Sequence, residues 1–319
     1  MSKTLYALLF ALATISTGCK KSLSTGDADF EVNIANPALS LEDTAKFILK
    51  GNPDMINFYS GEAGKRFEYR DRVAADGTPI LSFRTVRANG TQPNSLQLLI
   101  STDFKGVVQG DTATTKANIS TAGWTDITSR ANLSTGSTTA LPSGDIDLSD
   151  FATAGKPIFF AFKYNGTAGT AQSKWTITNF TIKNNLPDST SYEIANLNTS
   201  TTPYTVYGVS TFSPGFVGYA LQNTFNWAIS STQLVITGAT PASNAKAVSE
   251  AWAVVGPINL KKVVPDAGQL VKSPTQNLNN GPFIYKYSAK GAYNAVFTGG
   301  SLDINRTNFV QKSIKVTVN

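Results

Sequence analysis

Pro157-Ile-Phe-Phe-Ala-Phe-Lys-Tyr164 and Trp175-Thr-Ile-Thr-Asn-Phe-Thr-Ile182 decide the fold class of this chain. Both are short runs of aromatic, β-branched and Thr residues, the composition that fits a pleated, half-buried strand. The same signature recurs outward in both directions. Toward the N-terminus stand Leu96–Ile100, Ile80–Phe83, Ile56–Phe58, Lys46–Lys50 and the alternating Phe30-Glu-Val-Asn-Ile34. Toward the C-terminus follow Tyr204–Tyr207, Phe225–Ile229, Gln233–Thr237, Phe283–Tyr287, Tyr293–Phe297 and Ser313–Val318. Turn formers separate them, such as Gly51-Asn-Pro53 and Ser60-Gly-Glu-Ala-Gly64.

No segment carries a three-four apolar stripe through three turns of helix. Leu39–Phe47 comes nearest, and its spacing equally suits a turn into a strand. Many short strands divided by turns predict an all-β protein, a jelly-roll β-sandwich combined with an immunoglobulin-like β-sandwich. The wealth of Ser, Thr, Asn and Gly suits antiparallel sheets with one face in water.

The first 18 residues are expected to be a signal peptide rather than part of the fold. Lys3 precedes an apolar run, Leu5–Ile15, which ends in Ser16-Thr17-Gly18 ahead of Cys19. The run is too short for a membrane span of roughly 20 residues. Ser16-Thr-Gly-Cys19 resembles the lipobox of lipoprotein signal peptides, with Ser in place of the usual first-position Leu. The resemblance implies lipidation at Cys19 and a membrane partner through that anchor, with localisation at the outer membrane, on the cell surface; the face of that membrane stays open, because surface-export signals carry acidic residues after the cysteine and this chain has Lys20-Lys21. Residues 19–29 read as a tether.

Cys19 is the one cysteine, so no internal disulfide can form, and histidine is absent. That excludes Ser-His-Asp catalysis, His-ligated zinc and an imidazole switch. Without residues 1–18 the chain keeps 301 residues, enough for two cores, and a net charge of +5. Its cations are scattered, which argues against nucleic acid as a partner.

Three passages carry resemblances. Gly51–Arg72 looks like the signature of a domain-of-unknown-function family of Bacteroidetes surface lipoproteins. Leu96–Gly106, Gly123–Thr128, Ser143–Ser149 and Ile158–Tyr164 are similar to the cleaved-adhesin or choice-of-anchor jelly roll, a carbohydrate-binding-like module. Tyr285–Phe297 with Ile314–Val318 resembles the last strands of a PKD/immunoglobulin-like domain. In the adhesin type a Trp-bearing strand precedes the Leu-x-Leu-Ile-Ser-Thr-Asp strand; here its match, Glu250–Leu260, follows. This order implies a permuted jelly roll over 73–264, inserted into an immunoglobulin-like domain of 30–72 plus 265–319. The alternative is two consecutive sandwiches meeting near residue 190.

Candidate sites are sparse. Asp103, Asp126, Asp145, Asp147 and Asp150 could hold a structural calcium or cap turns. Glu62, Glu68 and Asp71, beside Arg66, Arg70 and Arg72, read as ion-paired surface residues rather than a hydrolase pair. Trp175 and Trp227 read as core; Trp124, Tyr59 and Tyr219 are open to a role as sugar platforms. Asp43-Thr44-Ala45, Asp111-Thr112-Ala113 and Asp188-Ser189-Thr190 fit the short motif for O-glycosylation in exported Bacteroidetes proteins, giving Thr44, Thr112 and Ser189 as acceptors. The second and third fall in loop-like stretches. The functional expectation is a non-catalytic surface lipoprotein that binds a glycan, in a polysaccharide-uptake system, without a cofactor. The alternatives are a structural protein that contacts other surface proteins and, third, a hydrolase.

Overall fold

Strand Ile158–Gly166 is the middle strand of a five-stranded antiparallel sheet, between Leu96–Ser101 and Ser249–Ile258. Val217–Gln222 and Thr125–Asp126 form its margins. Strand Lys174–Asn185 centres a second sheet of seven, with Thr78–Ala88 and Gln233–Thr237 beside it. The computed structural model describes residues 28–51, 53–136, 139–152, 156–197, 204–206, 208–278, 281–302 and 307–319. Cys19, the signal segment and most of the tether lie outside these residues.

The two sheets face each other across one apolar core. Phe160 and Phe162 point into it from one sheet; Leu81, Phe83, Ile177 and Phe180 meet them from the other. Alternate residues Phe159 and Ala161 face outward yet are also buried, under Phe104, Val107 and Ile119. Both faces of this strand are therefore dry, which is why Ile-Phe-Phe-Ala-Phe runs unbroken instead of alternating. Each such side chain contributes about 1.5–3 kcal/mol by leaving water.

Ile119 belongs to a helix, Thr112–Thr121, that the apolar pattern did not predict. Only Thr115 and Ile119 are buried on it, so there was no stripe to read. Local chemistry starts it: Asp111 Oδ1 accepts from the Thr114 amide at 2.8 Å, an N-cap. The Thr112 motif is accordingly helical, a correction to the loop expected there.

Residues Arg72–Pro265 form this unit; the residues up to Asp71 together with Asp266–Asn319 form another. In the latter, Ala45–Gly51 pairs with Phe30–Ile34 on one side and Phe283–Tyr285 on the other. A five-stranded sheet completes it, with Met55–Tyr59 against Gly291–Leu302 and Thr307–Val318 beyond. Phe47 is thus opposite Phe283, and Phe58 opposite Phe297. The rings of Phe47, Phe58 and Phe297 pack at 5.4, 5.1 and 4.7 Å between centroids, the heart of this core. The described residues begin at Ala28, two before the Phe30 start read from sequence. Ala28 is fully buried, and the Asp29 carboxylate meets Lys312 Nζ at 2.9 Å.

Both units are β-sandwiches, and the fold is all-β as the strand pattern implied. Among the described residues no helix is long and apolar enough to cross a membrane.

Candidate functional site

The outer face of the seven-stranded sheet carries a polar hollow of about 460 Å³. Its lining is Ile80 and Ser82 from Thr78–Ala88; Asn179, Thr181, Lys183 and Asn185 from Lys174–Asn185; and the flanking Asp145 and Ser191. The inner residues of the two main strands, Leu81, Phe83, Phe180 and Ile182, fill the core. Period-two geometry then sends their polar neighbours outward.

One irregularity shapes this face. Along Lys174–Asn185 the inward positions are Trp175 and Ile177, then Phe180 and Ile182, so one extra residue intervenes. Thr178 pairs with Arg84, but Thr181 pairs with Ser82, a β-bulge at Asn179–Phe180. Asn179 takes φ +54°, a left-handed conformation that Asn tolerates better than most residues. Bulges bend a strand and re-aim side chains, and they are common beside functional sites. Here the bulge places two consecutive polar side chains, Thr178 and Asn179, on the outer side. At the far end of the same strand, the Ser191 hydroxyl donates to Asn185 Oδ1 at 2.6 Å. The hollow thus offers hydroxyls, amides, one carboxylate and one ammonium, with a single apolar wall at Ile80.

The sequence reading did not single out this face, although a signal for it was present. The slip of phase between Ile177 and Phe180 is visible in Trp175-Thr-Ile-Thr-Asn-Phe-Thr-Ile182 itself.

The acidic residues expected to gather are instead dispersed. Asp103 accepts from the Ser101 hydroxyl and the Gly123 amide at 2.8 and 2.9 Å, which hold its carboxyl below the usual range. Burial pushes Asp126 up, but bonds from Thr128 and Gln97 outweigh it and leave it lowered. Asp147 caps Ser149, and Asp150 grips Arg130 through both oxygens, at 2.9 and 2.6 Å. Among the described residues no group of three or more acids, cysteines or histidines converges. Asp103, Asp126 and Asp147 accept turn amides, Asp150 pairs with Arg130, and Asp145 lines the hollow.

Glu62 also departs from expectation. It is buried, and its partners are not arginines: Oε1 accepts from the amide and hydroxyl of Ser288, and Oε2 from Ser60 and the Tyr285 phenol. Lys65 Nζ donates in turn to the Tyr285 oxygen at 2.8 Å. Arg66 instead meets Asp266, while Arg70 does lie by Asp71 at 3.3 Å.

The aromatic candidates are largely structural. Trp175 and Trp227 are buried, each donating its indole N–H, to Ser95 Oγ and Ala251 O. Trp124 is half-buried against Trp252 and Phe104, with its N–H on Ile119 O at 2.9 Å. Tyr59 packs edge-on against Phe67, and Tyr219 is half-buried in the cluster under the helix. None of them lines the hollow.

Of the three glycosylation candidates, Thr112 is exposed at the first turn of its helix, and Ser189 is exposed in the turn Leu186–Thr190 with φ +66°. Thr44 is half-buried just ahead of Ala45–Gly51.

Comparison with known families gives one match. The family described as a domain of unknown function, DUF5017, matches residues 18–202, more than half of the chain. This chain belongs to the DUF5017 family. No curated protein and no solved structure matches it. The DUF5017 region contains Gly51–Arg72 and every residue of the polar hollow, and it ends inside the Arg72–Pro265 unit.

Proposed function

We propose that this DUF5017 protein is a non-catalytic surface lipoprotein, anchored in the outer membrane through Cys19, that binds a polysaccharide in the hollow on its seven-stranded sheet. The observation that carries the reading is the lining of that hollow. Its hydroxyls, amides, carboxylate and ammonium can donate and accept in several directions at once, which suits a ligand dense in hydroxyl groups. The hollow lies open on a sheet face, so an interior stretch of a long chain can lie across it without threading. Rigid strands on both sides hold the polar groups in place before the ligand arrives.

The lining argues against hydrolysis. Glycoside cleavage commonly needs two carboxyl groups flanking the bond, and Asp145 is the one carboxylate in the hollow. A second reading, a surface protein that grips other proteins, draws support from the lack of any aromatic platform among the lining residues. The export reading draws on the apolar Leu5–Ile15 run and the Ser16–Cys19 tetrad. Thr112 and Ser189 remain the acceptors for O-glycosylation on grounds of exposure.

The test is affinity electrophoresis of the mature chain on a panel of plant, algal and host polysaccharides. Retardation by at least one polysaccharide, without release of reducing ends, is the expected result. Retardation by none would favour the protein-binding reading, and release of reducing ends would restore the hydrolase.

A further inference from the structure

A second surface, in the other unit, has the composition of a contact rather than of plain solvent exposure. On the sheet of Phe30–Ile34, Ala45–Gly51 and Phe283–Tyr285, the inward residues Phe30, Ala45 and Phe47 are buried in the core. Outward stand Glu31, Asn33, Lys46, Ile48, Lys50 and Ile284. Ile48 is 45% exposed and Ile284 56% exposed, so both leave apolar surface in water on the same face. The register makes them neighbours. Ile284 lies opposite Lys46, and Ile48 is two residues on, the diagonal position about 7–8 Å away. Ile284 also forms the lip of an apolar hollow of about 280 Å³ whose other walls include Leu49, Val271 and Phe283.

Two isoleucines framed by lysines make a surface apolar at its centre and cationic at its rim. Lys46 and Lys50 stand on either side of Ile48 along the same strand. The carboxylates nearby are Glu31, opposite Lys50, and Glu42, which holds Lys286 at 3.2 Å. Long lysine side chains can lay their methylenes on an apolar layer and keep the ammonium among headgroups.

Chain length says what can lie beneath this face. Eight residues, 20–27, separate Cys19 from Ala28, and even fully extended that link spans only about 30 Å. Ala28 is buried, and Asp29 is tied to Lys312, so the chain enters this same sheet at a fixed point. Lys20 and Lys21 follow the anchoring residue directly.

We propose that the outer face of this three-stranded sheet rests on the anionic surface of the bilayer, with Ile48 and Ile284 at the acyl boundary and Lys46 and Lys50 among the headgroups. The proposal rests on the anchor reading of Cys19, since the short link brings the face to the membrane. Contact would then fix the orientation of the unit and not merely its distance from the lipid.

The test uses the mature chain carrying Cys19→Ala, with no acyl group, sedimented with phosphatidylcholine vesicles that contain or lack phosphatidylglycerol. The expected result is binding to the anionic vesicles that weakens with added salt. Lys46→Glu with Lys50→Glu should lower the apparent affinity by about tenfold or more, given roughly 1 kcal/mol per lysine near such a surface, and Ile48→Ser with Ile284→Ser should separately lower it by about tenfold or more through lost apolar burial. Circular dichroism melts check that these exposed substitutions leave the fold intact, and Lys46→Gln with Lys50→Gln replaces the reversal if it does not. No sedimentation of the parent chain, or sedimentation unchanged by either pair, overturns the proposal. Intact mass of the membrane-extracted protein separates the two claims. A bare Cys19 removes the anchor, whereas an acylated Cys19 with no vesicle binding removes only the face.

Discussion

Glu62 and Ser288 lie 226 residues apart in the chain, yet the Ser288 amide and hydroxyl reach Glu62 Oε1 at 2.7 and 2.6 Å. The carboxylate ties the turn after strand Met55–Tyr59 to the segment after Phe283–Tyr285. It therefore binds the N-terminal and C-terminal parts of their unit together. Burial works to raise its pKa, but hydrogen bonds from Ser288, Tyr285 and Ser60 together outweigh burial and hold it below the ordinary value of 4.5.

A depressed folded pKa fixes the sign of the pH dependence. The ionised carboxylate stabilises the unit fully above about pH 4.5, and that contribution is lost as pH falls through the lower folded value. Replacing Glu62 by Gln should lower stability by about 2–3 kcal/mol at neutral pH, the scale of charge-assisted hydrogen bonds. It should also flatten the acid limb of the profile. Urea unfolding of both proteins across the acid range checks this, and superimposable profiles would count against it.

Asn179 is where backbone geometry and the proposed binding face coincide. At φ +54°, Asn179→Gly should leave stability within about 1 kcal/mol, because glycine accepts this conformation freely. Asn179→Val should cost more, about 1–2 kcal/mol, since a β-branched residue resists it. Equal losses in the two variants, measured by denaturant midpoint, would mean the bulge is not held as described.

The core of the Arg72–Pro265 unit gives a larger effect. Phe162 is fully buried against Phe83, at 5.2 Å between ring centroids. Phe162→Ala should cost about 3–5 kcal/mol by leaving a cavity. Trp175→Phe should cost about 1 kcal/mol, mainly the hydrogen bond to Ser95. Neither change touches the hollow, so Trp175→Phe should bind ligand like the parent chain.

Much of the fold was legible because burial leaves a period in the sequence. Phe30–Ile34 and Ala45–Gly51 show their buried positions as apolar residues, and so does Lys174–Asn185 as far as Ile182, beyond which the buried residue is Asn184. Helix Thr112–Thr121 was invisible because it buries two residues and owes its start to the Asp111 cap. The strand Ser191–Asn196 was missed as well; it is a polar margin strand with only Ala195 buried. The site was less legible than the fold. The hollow is built from outward residues whose types, Ser, Thr, Asn and Lys, are those of any wet sheet face, and only the phase slip at Asn179 marks it. Glu62 was read as a surface ion pair because two of its partners, Tyr285 and Ser288, come from the far end of the chain.

Exposure sorts the glycosylation candidates. Mass spectrometry of the protein isolated from its native cells should find glycan on Thr112 and Ser189 and none on half-buried Thr44. A glycan on Thr44 alone would reverse that order.

The most direct measurement is calorimetric titration of the mature chain with whichever polysaccharide retards it, set beside Asp145→Ala with Lys183→Ala. Both side chains reach the hollow from the wet face, so the fold should survive their loss. Affinity at least about tenfold weaker in the double variant, with an unchanged melting temperature, is what a ligand seated in the hollow requires, each lost charged bond contributing about 1.5–3 kcal/mol net of water. Binding as tight as that of the parent chain would place the ligand elsewhere and refute the assignment of this face.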